Sequence, residues 1–355
     1  MADWTSSMQQ TFEYYVVNPE TWKDVKLIDD VISCTIDRDL EADTLGSATI
    51  DIGNSVGECY IRAYLITIQN GVREKHPLGT FLVQTPSLAF NGKMKDVTMD
   101  AYTPLLELKE NNPPIGYYVA KRENAMNYAY RLANENARAP VIQPIDATNL
   151  FSNFVSNTDD TWLTFIRDLA NYAKYDLSLD ELGRILFAPQ QDTASLRPVW
   201  TYTDDNSSIL YADITIDHDL YGIPNVVEVL YSDSNETYFA RVVNDDPNSP
   251  TSTVNRGREI IRRETNPSLV GDPTNGRIQE YANQLLRDAS TLEYTVSYTH
   301  GYCPVRVGDC VLLDCAKIGL NKVKAKVISQ SIRCEPGCPV SETAVVTTKL
   351  WGEPL

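Results

Sequence analysis

Short strand patterns separated by turn residues fill about the first 110 residues, and this repetition limits the possible folds more than any other feature of the sequence. Ala48 to Ile52 reads ATIDI, with the period of two that a half-buried strand requires, and Tyr60 to Ile68 is rich in aromatic and β-branched residues. Asn91-Gly92 is a strong hairpin signal ahead of the strand predicted from Val97 to Tyr102. Five or six such strands predict a small barrel or a sandwich.

The pattern changes at Asn111-Asn-Pro-Pro, a cluster of residues that break regular structure. Helical periodicity follows from Glu123 to Asn136 and again from Thr161 to Tyr175, where apolar residues form one stripe. The acidic residues at Asp159-Asp160 predict an N-cap for the second helix. A β-hairpin is predicted next, from Asp176 to Phe187.

Strand patterns resume near Val199 and continue to Leu350. Residues 233–256 are polar and include a surface loop predicted from Asp245 to Pro250, and Arg277 to Leu292 predicts a third helix. We therefore expect three regions: a β domain at 1–110, an α+β inserted domain at 111–199, and a second β domain at 200–355 with an excursion at about 236–289 that carries the helix.

The chain is strongly acidic, because 31 Lys and Arg residues face 48 Asp and Glu residues, for a formal net charge of −17. Such a surface repels phosphate backbones and anionic membranes, which argues against nucleic-acid binding as the main role and against membrane docking. No stretch has the roughly 20 apolar residues of a membrane span, and the N-terminus lacks a signal-peptide pattern. We expect a protein without a membrane anchor, made in the cytoplasm.

The three histidines, His76, His218 and His300, form no HExxH motif. His218 lies between Asp217 and Asp219, which could orient a general base. Adjacent residues of a strand point to opposite faces, however, so a surface position is the favoured interpretation of His218.

Seven cysteines cannot all pair within one chain. Five of them lie late in the sequence: Cys303, Cys310, Cys315, Cys334 and Cys338. The last two have a spacing that a zinc site or a disulfide across a turn could use, whereas small buried thiols in strands remain the favoured interpretation of the cluster.

Carboxylate pairs such as Glu41 with Asp43, or Asp159 with Asp160, could be taken for the acid and base of a glycosidase. A pair just before a helix has a simpler role, because the helix dipole favours negative charge there. No nucleophile elbow, phosphate-binding loop or dinucleotide fingerprint is present in the sequence. The sequence therefore predicts no catalytic, cofactor-binding or metal site, and no enzyme.

A set of motifs in a consistent order resembles the baseplate hub proteins of phage tails, the family of late control protein D and the hub half of VgrG-type spikes. The motifs that carry the resemblance are Ile36 to Leu40, Gly46 to Ile52, Ile61 to Tyr64, Leu78 to Val83, Val97 to Leu106, Asp160 to Ile166, Leu182 to Phe187, Ile223 to Val229 and Val307 to Val311. No single motif is specific, so their order over most of the chain carries the argument.

The resemblance implies a mainly β fold with α+β insertions, in which two tail-tube-type β-barrel domains accompany a helix-containing inserted domain. It implies a homotrimeric ring of six similar barrels that adapts the six-fold tail tube to the three-fold spike and lines the central channel. The implied partners are the tail tube or distal tube ring, a spike carried on another chain, other baseplate proteins and the tape measure protein. The implied location is the tail baseplate of the virion, after assembly in the host cytoplasm.

Other interpretations stay open at this point. The chain could be a distal tail or tail-associated protein of a long-tailed siphophage, which can share the same barrels. Less favoured alternatives are a cell-wall hydrolase and a carbohydrate-binding β module.

Overall fold

The fold was obtained as a computed structural model and is described for residues 2–54, 56–90, 95–191, 193–205, 208–217, 221–232, 236–267 and 274–349. Strands account for 46% of the chain and helices for 17%, which confirms the predicted mainly β class with α+β insertions. The chain forms two compact units. The first comprises Met1–Ile214, Tyr298–Lys322 and Lys326–Thr343, and the second comprises Thr215–Ser297, Val323–Ala325 and Ala344–Leu355.

Seven antiparallel strands begin the first unit: β1 (Gln9–Val17), β2 (Asp24–Ile28), β3 (Val31–Asp39), β4 (Gly46–Ile52), β5 (Tyr60–Gln69), β6 (Val72–Phe90) and β7 (Lys95–Tyr102). Their order in the sheet is β3-β4-β7-β6-β5-β1-β2. Only Asp29 and Asp30 join β2 to β3, although these strands end the seven-strand path on opposite sides. Because that connection spans at most about 11 Å, the sheet must curl until its two ends approach each other.

The hairpin predicted at Asn91-Gly92 is confirmed by its strands, since Phe90 of β6 lies opposite Lys95 of β7. The turn itself falls outside the described residues. The sequence patterns at 79–83 and 87–90 belong to one strand, β6, whose register against β7 shifts between Val83 and Thr85. Such a shift bends a strand without ending it.

The helical part follows as α1 (Leu106–Glu110), β8 (Tyr118–Val119), α2 (Ala125–Asn136), β9 (Phe154–Val155), α3 (Trp162–Tyr172), β10 (Tyr175–Leu179) and β11 (Ile185–Pro189). The apolar stripe of α3 is buried as predicted, with Phe165, Ile166 and Leu169 fully inside the core of this part. Burial of each such side chain contributes about 1.5–3 kcal/mol.

The predicted acidic N-cap of α3 is wrong. Thr161 caps the helix, and its side chain and that of Thr164 form a reciprocal capping box with the two backbone N–H groups. Asp160 instead accepts a hydrogen bond from the backbone of Asn157 at 2.6 Å. A hydroxyl one residue later satisfies the free N–H groups of the first turn, so the carboxylates are left to shape the preceding loop.

The later strands are β12 (Trp200–Thr203), β13 (Leu210–Asp217), β17 (Thr291–Gly301), β18 (Cys310–Cys315), β19 (Leu320–Arg333) and β20 (Pro339–Lys349). They extend the first sheet in the order β13-β17-β20-β19-β3, and β18 pairs with both β12 and β19. The junction is the antiparallel pair of β19 and β3, in register from Ser329 opposite Asp39 to Arg333 opposite Thr35. The beginning and the end of the chain therefore share one sheet.

The second unit contains a three-stranded sheet of β14 (Val226–Ser232), β15 (Thr237–Val243) and β16 (Ile261–Thr265), together with α4 (Thr253–Arg256) and α5 (Asn275–Ala289). One face of α5, with Ile278, Ala282 and Leu286, packs on Val227 and Val229 of β14. The surface loop predicted from Asp245 to Pro250 is confirmed, and it lies between β15 and α4, whereas β15 itself was not predicted within the polar stretch. The three-region division at 1–110, 111–199 and 200–355 stays a prediction.

Among the described residues, no helix combines the length and the apolar character needed to cross a bilayer.

Candidate functional site

Six polar side chains meet inside the first unit, and we call them the polar cluster: Tyr202, Tyr298, His300, Cys303, Gln330 and Glu342. They come from β12, β17, the segment after β17, β19 and β20. None exposes more than 3% of its surface. A buried charge is costly unless it is paired and hydrogen-bonded, so the partners of Glu342 decide the properties of this cluster.

The Glu342 carboxylate has a donor on every side. Its Oε1 accepts hydrogen bonds from the hydroxyls of Tyr298 at 2.5 Å and Tyr202 at 3.5 Å. Its Oε2 lies 2.6 Å from the Gln330 amide nitrogen and 3.4 Å from His300 Nε2. The neighbouring side chains therefore supply both carboxylate oxygens with hydrogen-bond donors.

His300 completes the charge balance. Its Nδ1 lies 2.7 Å from the carbonyl oxygen of Gly301, and a carbonyl can only accept, so Nδ1 carries a proton. Burial lowers the pKa of His300, but its hydrogen bonds to Cys303 and Glu342 and the nearby negative charge outweigh burial and raise that pKa to about 10. The cluster thus holds an imidazolium against a carboxylate.

A thiol, an imidazole and a carboxylate also occur together in enzymes that use a cysteine nucleophile. The positions of these groups show whether His300 could activate Cys303. Cys303 Sγ lies 3.9 Å from His300 Nδ1, the nitrogen that already donates to Gly301. Nδ1 therefore has no lone pair with which to take the thiol proton. Cys303 exposes only 1% of its surface, so a substrate cannot reach it. In this arrangement His300 Nδ1 is not placed to act as a base toward Cys303.

The histidines provide a direct check by NMR titration. We expect His300 to remain protonated from pH 6 to pH 9, because its pKa is raised to about 10. We expect His76 to lose its proton below the usual value of 6.5, because burial lowers its pKa. His76→Gln and His300→Gln variants assign the two signals.

This titration has a consequence for stability. Because the pKa of His300 is higher in the folded state, its protonation adds to the free energy of unfolding, and this contribution is complete below pH 6.5. The contribution is lost as the pH rises toward 10, at up to about 1.4 kcal/mol per pH unit for one proton. An imidazole signal of His300 that titrates near pH 6.5 would contradict the charged pair.

A second polar feature holds the turn Asp180–Gly183 between β10 and β11, which we call the docked turn. The carbonyl oxygen of Leu182 accepts hydrogen bonds from Trp22 Nε1 at 2.7 Å and from Arg62 Nη2 at 3.1 Å. Arg62 is only 4% exposed, and it also donates to Asp24 at 2.8 Å and to Thr80 at 2.8 Å. The inserted hairpin is thereby fixed to the first strands by a buried guanidinium.

The docked turn also reaches the later strands. Glu181 forms ion pairs with Arg306 at 2.6 Å and with Arg38 at 3.9 Å. Arg38 donates to Gln330 at 3.1 Å, and Gln330 donates to Glu342. A continuous chain of polar contacts therefore joins the hairpin, β3 and the polar cluster.

A cleft of about 650 Å³ lies along this seam. Its lining includes apolar Leu78 and Leu177 together with charges of both signs, such as Asp39, Arg167 and Lys326. This mixture of charges favours neither an anionic nor a cationic ligand.

The candidate acidic residues and histidines named from the sequence do not form one site in the structure. Asp43 is exposed and pairs with Lys109 at 2.7 Å, and His76 lies 3.0 Å from the Thr67 hydroxyl. Asp217 ends β13 with an exposed side chain. His218 and Asp219 lie outside the described residues, so the predicted surface position of His218 stays a prediction.

All seven cysteines are free thiols, and Cys334 and Cys338 are not bridged. Five are buried, and Cys59 and Cys334 are partly exposed. Across the described part of the chain, no group of three His, Cys, Asp or Glu residues is arranged to hold a metal ion.

Sequence analysis missed Glu342, although a signal was present. Glu342 occupies every second position along β20 together with Val340, Ala344 and Val346, and all four side chains are buried. A carboxylate on the apolar face of a strand is an exception that requires a partner. What the sequence cannot show is that His300 lies opposite it, 42 residues away along the chain.

Solved structures of other proteins share this architecture. No family model and no curated protein matches the sequence. Among solved structures, a tail protein from Neisseria meningitidis matches with a TM-score of 0.62 and 14% identity, over 95% of this chain and 96% of that one. The 43 kDa tail protein of prophage MuSo2 from Shewanella oneidensis matches with a TM-score of 0.60 and 12% identity, over 94% and 98%.

The fold is that of phage tail proteins.

A third match extends this likeness to a secretion spike. The Francisella PdpA-VgrG complex matches with a TM-score of 0.55 and 9% identity, over 100% of this chain but only 54% of that one. The phage tail resemblance inferred from the sequence motifs is thus confirmed at the level of the fold.

Proposed function

We propose that the protein is a structural baseplate hub: a homotrimeric ring that adapts the six-fold tail tube to the three-fold spike and lines the central channel. The observation that carries the proposal is the end-to-end likeness in fold to two tail proteins, which covers at least 94% of each chain compared. The likeness to a VgrG complex over part of that chain supports a place beside a spike.

The shape of the sheet supports a ring. Seven strands curl at one end of the sheet, and the pairing of β3 with β19 joins them to the later strands. Two strand-rich stretches in one chain would give a trimer six docking surfaces for a six-fold tube, whereas one per chain would give three. The net charge of −17 suits a channel wall that repels passing DNA.

The edge of the sheet at β2 supports a contact between copies. Among the described strands, β2 pairs only with β1, and Val25 and Leu27 are 61% and 47% exposed. An apolar edge strand invites pairing with another chain unless it is covered. We propose that the opposite end of the sheet, at β13, covers it in the neighbouring subunit, because head-to-tail contacts of this kind close into rings.

Electron microscopy of the purified protein, together with its mass in solution, tests the proposal. A three-fold ring with six similar barrels is expected. A six-fold ring would instead support a distal tail protein of a long-tailed phage, and a protein that stays monomeric at every concentration would overturn the ring.

The edge contact has its own prediction. The double variant Val25→Lys, Leu27→Lys should weaken trimer formation tenfold or more, about 1.4 kcal/mol, because it places charge on the pairing edge. Val72→Lys is the matched control, since Val72 is 59% exposed but lies beside the β5–β6 turn. Equal weakening by both variants, measured by analytical ultracentrifugation, would place the contact elsewhere.

We further propose that the protein is not an enzyme. Two solved structures that share this fold are tail proteins, and the buried Cys303–His300 pair lacks a free proton acceptor. Purified protein should release no fragments from peptidoglycan. Cleavage that is lost in Asp217→Asn would contradict this proposal and favour a cell-wall hydrolase.

A further inference from the structure

We propose that Cys34 and Cys334 form a latent disulfide site, which closes when the protein meets a low-molecular-weight disulfide and so staples β3 to the end of β19. The inference concerns the chemistry of this chain and does not depend on the proposed ring.

The two cysteines face each other across the antiparallel junction. The register that places Arg333 opposite Thr35 places Cys334 opposite Cys34 at the next position. The backbone N–H of Cys334 donates to the carbonyl oxygen of Cys34 at 2.9 Å. Directly opposed positions of such a pair have Cα atoms about 5.5 Å apart, which lies within the range that a disulfide spans.

Both side chains point into the same core. Cys34 is buried there at 3% exposure, and Cys334 packs against that core while remaining partly exposed. The two thiols and the Tyr14 hydroxyl are close enough to shift one another's pKa, and Cys334 raises the pKa of Cys34 whereas Tyr14 lowers it. The Cys334 thiol is therefore partly accessible from solvent, and the Cys34 thiol is buried next to it.

The reaction is a thiol–disulfide exchange. The Cys334 thiolate attacks one sulfur of oxidised glutathione and expels one glutathione thiolate, leaving a mixed disulfide. The Cys34 thiolate then attacks the Cys334 sulfur and expels the second glutathione. The protein loses two protons and two electrons, and one molecule of oxidised glutathione becomes two of the reduced form.

The surroundings make the second step slow. In the reduced protein the neighbouring Cys334, followed by burial, raises the pKa of Cys34 well above its ordinary value, and burial persists once Cys334 is in the mixed disulfide. Little Cys34 thiolate is present at neutral pH, so closure should accelerate as pH rises. The site would stay reduced in a cytoplasm and close after transfer to an oxidising medium.

Cys338 is the competing partner for Cys334. It lies four residues away across the turn, where it is buried and its backbone is left-handed with φ of 40°. Burial raises the pKa of its thiol as well. Cys338 is buried in the same core as Cys34. We expect the bridge across the junction to form instead, because the strand pairing places Cys334 directly opposite Cys34.

The test uses the full-length reduced protein, incubated at pH 8 with excess oxidised glutathione. The expected product is lighter by about 2 Da, the two lost hydrogens. Digestion with trypsin leaves Cys334 and Cys338 on one peptide, and fragmentation of that peptide before Pro336 in the mass spectrometer separates the two cysteines. The fragment with Cys34 should then be joined to the one with Cys334, and dithiothreitol should release it.

Two variants sharpen the result. Cys338→Ser should still form the bridge, and Cys334→Ser should not. The bridged protein should melt several degrees higher than the reduced one, because the bond joins positions 300 residues apart along the chain. A Cys334–Cys338 bridge in the wild type, or no mass loss after prolonged incubation, would overturn the proposal. The mapping is done on wild-type protein, so it does not depend on the folding of any variant.

Discussion

Replacing Glu342 with glutamine should lower the free energy of unfolding by about 3–5 kcal/mol, because it leaves a buried imidazolium without its counter-ion. Glu342 is 2% exposed, and it accepts hydrogen bonds from Tyr298, Gln330 and His300. An amide can accept at only one of its two terminal atoms, so at least one donor would lose its partner. Urea denaturation followed by circular dichroism measures the loss.

The control for this experiment is Glu335→Gln, in the connection that precedes β20. Glu335 is exposed and pairs with Arg333 at 3.5 Å, where both side chains are more than half exposed. Exposed ion pairs contribute about 0–1 kcal/mol. If Glu342→Gln cost no more than Glu335→Gln, the polar cluster would not be a charged pair in the folded protein.

A double variant separates charge from packing. His300→Gln combined with Glu342→Gln removes both charges, so it should cost less than the sum of the two single changes. Strict additivity would mean that the two groups do not interact.

The second large effect is expected at the docked turn. Gly183 has φ of 73°, and a Cβ atom there would lie 2.7 Å from the Thr80 Cβ. Gly183→Ala should therefore cost about 1–2 kcal/mol for the left-handed backbone and a further 1–3 kcal/mol for overpacking.

Gly116→Ala is the matched control for Gly183. Gly116 has nearly the same φ, 77°, but nothing lies within 4 Å of its added Cβ. The difference in unfolding free energy between the two variants thus isolates the contact with the first strands. Equal losses in thermal or urea unfolding would show that the hairpin is not held against Thr80.

Local patterns predicted much of the fold, and the failures have physical causes. The stripe of α3 was visible because one helix face carries its own periodicity. Its N-cap was misassigned because Asp160 and Thr161 are both good caps, and only the backbone geometry selects Thr161. Strand β15 was missed because exposed Phe239 and Arg241 alternate with buried Ala240 and Val242 inside a stretch that is polar on average.

The candidate site was harder to predict than the fold. Arg62 lies in an ordinary strand pattern, and its partners Asp24 and Leu182 lie 38 and 120 residues away along the chain. Cys34 and Cys334 are also far apart along the chain, so their spacing does not indicate that they are neighbours in the fold. Pairing between distant strands is a property of topology, and a single sequence does not show it.

The pairing of β3 with β19 also determines when the sheet can be completed during synthesis of the chain. Strand β3 leaves the ribosome early, but its partner is complete only when Arg333 has been added. At about 5–20 residues per second, that interval is about 15–60 s. Throughout it the edge of β3 that does not pair with β4 has no partner strand, and such an open edge favours aggregation. We therefore expect chains truncated before β19 to require chaperones, whereas full-length chains fold late and after release from the ribosome.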